Sequence, residues 1–362
     1  MKKKVLHIVT ALSWRGGEQQ AAYLFQELRA EVDSLVLCSS GSKMEEFCQK
    51  NDITHFTHKK KGGIDFSYAK KVKQVCLSEK IDLIHLHDAH AHTFSILAAS
   101  IFGNKTPIIL SRRVDFPIKR NFFSNFKYNH NQIKKILCVS DTIKKITAIG
   151  IEDHSKLETV YSGIDLNKFK PSSGILRKEL GVDNDVFLIG NTSALADHKD
   201  YFTFIDVAEK IIERHSNCHF VVMGDGPMQA EIHSFAATKK LKKQFTFVGF
   251  RTDIPEVLAE LDLFLITSKT EGLGTSILDA FACNVPVVGT AGGGISELVE
   301  NEKTGLLCEV KNVEQITEAI EQMMGDSDFR ENCAVQAKHK VALFSKQETA
   351  QKTLKYYLEV LS

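Results

Sequence analysis

No stretch of the chain approaches the roughly twenty uninterrupted apolar residues that a membrane-spanning helix needs, so no span is predicted. Cys-x-x-Cys is missing too. The eight cysteines stand singly at positions 38, 48, 76, 138, 218, 283, 308 and 333, several inside apolar runs such as Ile136–Val139. That scatter argues against a disulfide frame or a zinc site and predicts buried free thiols in a reducing, cytoplasmic compartment. Low-complexity tracts and a helical-repeat period are absent as well. The opening Lys2-Lys-Lys-Val-Leu-His7 imitates a secretory leader. Its apolar run is short, however, and leads into Trp14-Arg15-Gly16-Gly17-Glu18 without a small-residue cleavage site, so it reads as a first buried strand.

What is present fits an ordinary globular protein: 362 residues, 43% apolar and 25% charged, long enough for two domains with a core in each. The net charge of +1 hides an asymmetry. Residues 1–170 hold 27 Lys and Arg against 17 Asp and Glu, and the remainder carries the compensating acidic excess. Either charge simply varies between the halves, or the basic first half faces an anionic membrane surface or phosphorylated acceptor. No nucleic-acid-binding motif accompanies the basic charge, so nucleic acid is not expected.

Short apolar runs alternate with helical segments. Val5–Val9, Leu35–Cys38, Leu83–Leu86, Ile108–Leu110 and Ile136–Val139 are predicted strands, and a helix carries Ala21, Leu24, Phe25 and Leu28 on one face. The texture changes at Tyr161–Asp165 and Phe169–Gly174, a Gly/Pro/Ser-rich linker candidate. The alternation then resumes with strands predicted at Val186–Ile189, His219–Met223, Phe245–Val248, Leu263–Ile266 and Val285–Val288. Continuous apolar strands alternating with helices predict α/β architecture, as two doubly wound parallel sheets. Domains are expected at 1–168 and 172–340, with a final helical segment at 341–362 returning to the first. Ligands are expected outside the carboxyl ends of the strands, in a cleft between the domains.

The densest chemistry lies at 267–298, where Thr267-Ser-Lys-Thr-Glu271-Gly-Leu-Gly274-Thr-Ser-Ile-Leu-Asp279 is followed by Gly292-Gly-Gly-Ile-Ser-Glu297. Gly272 and Gly274 let bare backbone approach a ligand, and a helix starting near Thr275 directs its positive end to the same space, where a phosphate is stabilised. Glu271 and Asp279 beside an anion site suit the hydroxyls of a sugar and a ribose. Ser276-x-x-Asp279 also reads as a capping box, which would give Asp279 a structural duty instead.

The stretch Glu271–Pro286, with Gly224-Asp-Gly-Pro227, Phe247-Val-Gly-Phe250, Gly293-Gly-Ile-Ser-Glu297, Thr304-Gly-Leu-Leu307 and Ser162-Gly-Ile-Asp165…Phe169-x-Pro171, resembles glycosyltransferase family 4. These are retaining enzymes of the two-Rossmann GT-B fold, and the resemblance covers nearly the whole chain. It implies sugar transfer from a nucleotide-diphosphate sugar to an acceptor hydroxyl, in the making of cell-surface polysaccharide, lipopolysaccharide or glycolipid. The acceptor would be a sugar or lipid-linked, and no cofactor or metal is expected. The implied donor-binding set is Gly16, Gly17, Lys199, Gly224, Gly249, Phe250, Glu271, Gly272, Leu273, Gly274, Thr275 and Asp279. Glu271 would bind donor-sugar hydroxyls, Asp279 the ribose, and Lys199 the diphosphate.

Two departures stand out. The family usually has Glu where Asp279 stands, and an arginine a few residues before the lysine, where this chain has Asn191-Thr192-Ser193; His198 could substitute in part. On the acceptor side the resemblance points to Arg15, His87, Arg112 and Arg113, the arginines standing where many members carry a histidine. Glu271, Lys199 and Arg113 are the expected catalytic residues. Two other readings remain open: a nucleotide-sugar epimerase on the same fold, for which clustered histidines would act as acid and base, and a non-catalytic nucleotide-sugar-binding protein.

His85, His87, His90 and His92 with Asp88 imitate a metal cluster, but their spacing places no clean ligand set on one strand or helix face. Asp183-Asn-Asp185 reads as a hydrophilic turn. Phe116–Tyr128 mixes aromatic and basic residues. It either lies on an anionic membrane, making the protein peripheral on the inner face, or packs its rings inward.

Overall fold

Apolar runs of four to seven residues become strands buried on both faces, because helices cover each side of a parallel sheet. A computed structural model describes residues 2–169, 172, 174–241 and 243–362. One unit takes the chain to Gly163 together with Lys346–Ser362, and the other is Ile164–Ser345. The division falls ahead of the Phe169–Gly174 stretch, of which Lys170, Pro171 and Ser173 lie outside the described residues.

The first unit holds β1 (Lys3–Val9), β2 (Val32–Ser39), β3 (His55–His58), β4 (Leu83–Leu86), β5 (Ile108–Arg112), β6 (Ile133–Cys138) and β7 (Leu157–Thr159), in the sheet order β3-β2-β1-β4-β5-β6-β7. The second holds β8 (Phe187–Thr192), β9 (Cys218–Met223), β10 (Phe245–Gly249), β11 (Leu263–Ile266), β12 (Val287–Thr290) and β13 (Gly305–Cys308), in the order β10-β9-β8-β11-β12-β13. All pairings between these strands are parallel. Strand order reverses between β1 and β4 in one sheet and between β8 and β11 in the other. Loops leaving the carboxyl ends of those pairs splay apart there, which is where doubly wound folds bind ligands. The candidate residues Gly16, Gly17 and His87 follow β1 and β4; Lys199 and Glu271 follow β8 and β11.

Three strands escaped the apolar-run criterion, namely β3, β7 and β13. All three are sheet edges. An edge strand has one side open to water, so sequences such as His55-Phe-Thr-His58 and Leu157-Glu-Thr159 carry too few apolar residues to stand out.

The last helix, Lys346–Leu361, belongs to the first unit. Its Ala350 and Tyr357 are buried with Leu24, Leu28, Leu83, Ile109 and Val160, and Lys346 pairs with Glu27 at 3.0 Å. The Tyr357 hydroxyl lies 2.5 Å from His85 Nδ1 in the middle of that core. Tyr357→Phe is expected to cost about 1–3 kcal/mol, because His85 loses a buried partner. Calorimetry should show a lower melting temperature for this unit. An unchanged temperature would mean that the bond contributes nothing net.

Candidate functional site

The loop after β11 is built backbone against backbone. Gly294 N–H donates to Glu271 O at 2.9 Å, and Thr290 Oγ1 donates to Ser268 O at 2.6 Å. A Cβ on Gly292 would lie 2.5 Å from Ser268 O, and one on Gly294 2.6 Å from Gly272 O. Gly293 is left-handed (φ +65°), and its Cβ would lie 2.3 Å from Glu271 O. Only glycine fits that turn, so the Gly292–Gly294 triplet fixes where Glu271 stands.

The Glu271 carboxylate is nearly buried. Its Oε1 accepts from Lys199 Nζ at 2.6 Å and from Ser268 Oγ at 2.7 Å. The two charged side chains are only 15% and 10% exposed. Lys199 reaches it from a loop in which Asp200 is left-handed (φ +51°), held by Thr267 Oγ1 donating to the carbonyls of Lys199 and Asp200. The structure thus brings together two residues that lie 72 positions apart. An ammonium paired with a carboxylate can turn to a phosphate, and the carboxylate can then accept from hydroxyls.

The helix Thr275–Ala282 begins at Gly274 (φ +89°) with no side-chain cap. This corrects the capping-box reading: Ser276 is the second helical residue and Asp279 the fifth, past the first-turn N–H groups that need capping. Asp279 is half-buried, and its carboxylate makes no hydrogen bond among the described residues. Burial pushes its pKa up to about 7, against the opposing charge of Lys168. Such a carboxyl is available to accept from, or donate to, a ligand hydroxyl.

Where an arginine was expected, Asn191 is buried. Its Nδ2 donates to Leu265 O at 2.6 Å, and its Oδ1 accepts from Ser193 Oγ and the Tyr201 hydroxyl at 2.7 and 2.8 Å. This network ties β8 to β11 and brings no charge. His198 meets the site through its backbone, its carbonyl accepting from Lys269 N–H at 2.8 Å. Gly224 and Gly226 answer to packing: a Cβ on them would lie 2.1 Å from Ser193 O and 2.5 Å from Leu195 O. Gly249 is left-handed (φ +74°), and Phe250 beside it is exposed. Leu273 is buried under the loop.

In the first unit, Gly16 and Gly17 open the helix Gly16–Glu27, with Arg15 as N-cap and its N–H donating to Glu18 Oε2 at 2.9 Å. A Cβ on either glycine would meet nothing within 4 Å, and neither has positive φ. The fold does not itself demand glycine there; a close-approaching ligand would.

His7 joins His85 and His87, which alternate along one face of the β4 segment, because β1 registers His7 opposite His85. Arg113 Nη1 donates to His87 O at 3.3 Å, and Nη2 lies 3.4 Å from His87 Nδ1. A guanidinium only donates, so His87 Nδ1 accepts and the ring proton sits on Nε2. That proton points to His7 Nδ1 at 3.0 Å, which leaves the His7 proton on Nε2, toward Ser34 Oγ at 3.5 Å. His85 is bonded on both nitrogens, to Tyr357 OH and to Ser111 Oγ at 2.8 Å. The lone pairs a cation would need are therefore engaged, beside a guanidinium. Burial drives all three rings toward neutrality, His7 down to about 3 and the others well below the usual range. Burial also lowers Arg113 to about 10, so it stays cationic at neutral pH.

The remaining expected residues part company. His92 Nε2 bonds Lys127 O at 3.0 Å, His90 is exposed, and Asp88 caps the helix Ala89–Ser100. Arg112 turns away from His87: its Nη1 donates to Tyr128 OH at 2.8 Å and its Nη2 to Phe116 O. Sequence reading missed His7 and Tyr357. The alternation of His85 and His87 was the available signal for a shared face, but the strand register and the return of the last helix were not.

Residues 14–168 match the family model described as Glycosyltransferase Family 4, and residues 173–340 the one described as Glycosyl transferases group 1. The chain is 26% identical over 283 residues to N-acetyl-alpha-D-glucosaminyl L-malate synthase of Bacillus anthracis, covering 76% of this chain and 74% of that one. It is 25% identical over 263 residues to an Escherichia coli UDP-Gal:alpha-D-GlcNAc-diphosphoundecaprenol alpha-1,3-galactosyltransferase, covering 68% and 67%. Among solved structures, Anabaena HepE in complex with UDP and glucose has a TM-score of 0.85 at 21% identity, covering 99% of this chain and 100% of that one. Staphylococcus aureus TarM has a TM-score of 0.78 at 12% identity, covering 99% and 100%. Both likenesses carry the GT-B fold.

Gly293→Ala is expected to destabilise the second unit by at least about 2 kcal/mol, from left-handed backbone and overlap with Glu271 O. Gly16→Ala should stay within about 0.5 kcal/mol. Equal effects in denaturant titrations would refute the packing argument. The pH dependence follows from the buried groups. Unfolded His7, His85, His87 and His92 take up protons below their ordinary 6.5, while the folded rings stay neutral. Their contribution is therefore full above 6.5 and is lost as pH falls, by about 1.4 kcal/mol per pH unit for each ring. Asp279 acts oppositely in its own unit: it contributes below its unfolded 3.8 and loses that contribution as pH rises through about 7. Calorimetry between pH 5 and 8 should show the first unit weakening on acidification; a flat profile would show the rings to be solvated.

Proposed function

Because this chain belongs to glycosyltransferase family 4, we infer that it moves a sugar, with retention of configuration, from a nucleoside-diphosphate sugar to an acceptor hydroxyl. The observation that carries the reading is the Lys199–Glu271 pair, set beside the uncapped helix start at Gly274 and the half-buried carboxyl of Asp279. With donor bound, Lys199 leaves the carboxylate for the diphosphate, and Glu271 accepts from sugar hydroxyls. The helix start adds N–H groups toward the phosphate, and Asp279 meets the ribose. The bond between the anomeric carbon and the phosphate oxygen breaks as the acceptor oxygen bonds the same face. The departing phosphate takes the acceptor proton, so no side-chain base is required.

A uridine diphosphate sugar is the donor class we favour, since the HepE complexes and the E. coli relative carry that nucleotide in their descriptions. The latter's diphosphoundecaprenol acceptor favours a lipid-linked acceptor and work in cell-surface glycan or glycolipid synthesis at the cytoplasmic membrane face. Arg113, half-buried and cationic, is the acceptor-side candidate for an anionic group such as a lipid diphosphate. The histidines do not support an epimerase, because their bonds and burial hold them neutral.

Nucleotide release from a panel of UDP-, GDP-, ADP- and CMP-sugars tests the reading. Clear donor binding without release or transfer from any of them would make the chain a binding protein instead. Glu271→Gln keeps a carbonyl oxygen that can accept from both Lys199 and Ser268, which meet the same Oε1, so the fold should persist. Turnover should fall at least about thirtyfold, or roughly 2 kcal/mol of transition-state stabilisation. Unchanged turnover would remove Glu271 from the reaction.

A further inference from the structure

The connection from β5 to β6 carries an aromatic helix that the fold does not bury. It is pinned at both ends. Ile118 and Tyr128 are buried, and the Arg112 guanidinium bonds Tyr128 OH and Phe116 O while lying 5.2 and 5.4 Å from the centres of the Phe116 and Tyr128 rings. Asn121 caps the helix Phe122–Tyr128, its side chain accepting from Ser124 N–H at 2.8 Å. Between these anchors Phe122 is 78% exposed and Phe123 81%, with Phe116 and Phe126 about half exposed. The Phe122 ring lies 5.9 Å from that of Phe123 and 6.5 Å from that of Phe126, so the three form one apolar tip.

Exposed Lys119 and Arg120 immediately precede this tip. Within 112–130 the one acidic residue is Asp115, against Arg112, Arg113, Lys119, Arg120 and Lys127. Glu152 approaches the segment from its far side, through Asn125 and Asn129. Rings standing four-fifths clear of the protein need a partner that can flow round them, and acyl chains do so. The basic residues beside them, in the half of the chain with the cationic excess, select an anionic surface.

We propose that Phe122 and Phe123, flanked by Lys119 and Arg120, form a docking tip that inserts into an anionic lipid bilayer. Arg112 holds the tip, while Arg113, the next residue, faces His87 at the candidate acceptor side. Docking therefore holds the unit that carries the acceptor-side arginine at the membrane, where a lipid-linked acceptor's headgroup lies. This last step rests on the acceptor reading above; the membrane contact itself does not.

Cosedimentation of the full chain with phosphatidylcholine vesicles, pure or about one-third phosphatidylglycerol, tests it. The wild type should partition onto the anionic vesicles and come off as salt rises. Phe122→Ser with Phe123→Ser, and separately Lys119→Glu with Arg120→Glu, should each lower that partition by about tenfold or more. The Phe variant should keep its melting temperature and its nucleotide release in lipid-free buffer. Partition of either variant equal to wild type, or equal binding to neutral vesicles, overturns the proposal. So does a lipid-free wild-type dimer that the Phe variant converts to monomer, which would make the tip an interface between copies. Absence of donor turnover would refute the enzyme reading and leave the vesicle result standing.

Discussion

A nearly buried ammonium and carboxylate, Lys199 and Glu271, lie 2.6 Å apart at the strand-order reversal of the second sheet. Removing two such charges from water is expensive, and the pair persists because Ser268, Thr267 and the three-glycine turn hold both partners in place. Backbone-on-backbone packing of Gly292–Gly294 leaves no room for Glu271 to drift. The site is therefore charged but neutralised from within. A donor carrying both phosphate and hydroxyls can replace each half of that pairing, whereas a ligand with only one of them leaves a buried charge unpaired.

The first unit handles its polar residues differently. There three buried imidazoles and a buried phenol meet the half-buried Ser34 and Ser111 hydroxyls and the half-buried Arg113 guanidinium, and only Arg113 keeps a charge. Because Arg113 can only donate, its contacts fix the tautomers of His87 and His7. The second unit thus offers a replaceable ion pair, and the first a single cation braced by neutral rings.

Most of the architecture was legible in sequence because both faces of a parallel strand are buried. Runs such as Leu83–Leu86 and Leu263–Ile266 matched to the residue. The edge strands β3 and β7 were not legible, since water on one side relaxes the apolar requirement, and β13 is a four-residue run, Gly305–Cys308, of which only three residues are apolar. The Glu271 loop was readable because its glycines, carboxylates and helix start are contiguous. Asp279 was ambiguous between cap and ligand until the helix proved to start at Gly274, two residues ahead of Ser276. Asn191 read as a deficit; in the fold it is the centre of a buried network joining β8 to β11.

The sequence by itself determined two parallel-sheet units, a glycine-rich loop leading into a helix and the residue types at its rim. Local periodicity and contiguous motifs encode those. Tertiary structure alone decided that Lys199 rests on Glu271, that His7 and Tyr357 complete the histidine chain, and that Arg112 and Arg113 diverge. It also decided that Phe122 and Phe123 point to solvent. Each of these depends on strand register, chain return or side-chain direction, which bring together residues that spacing in sequence leaves apart.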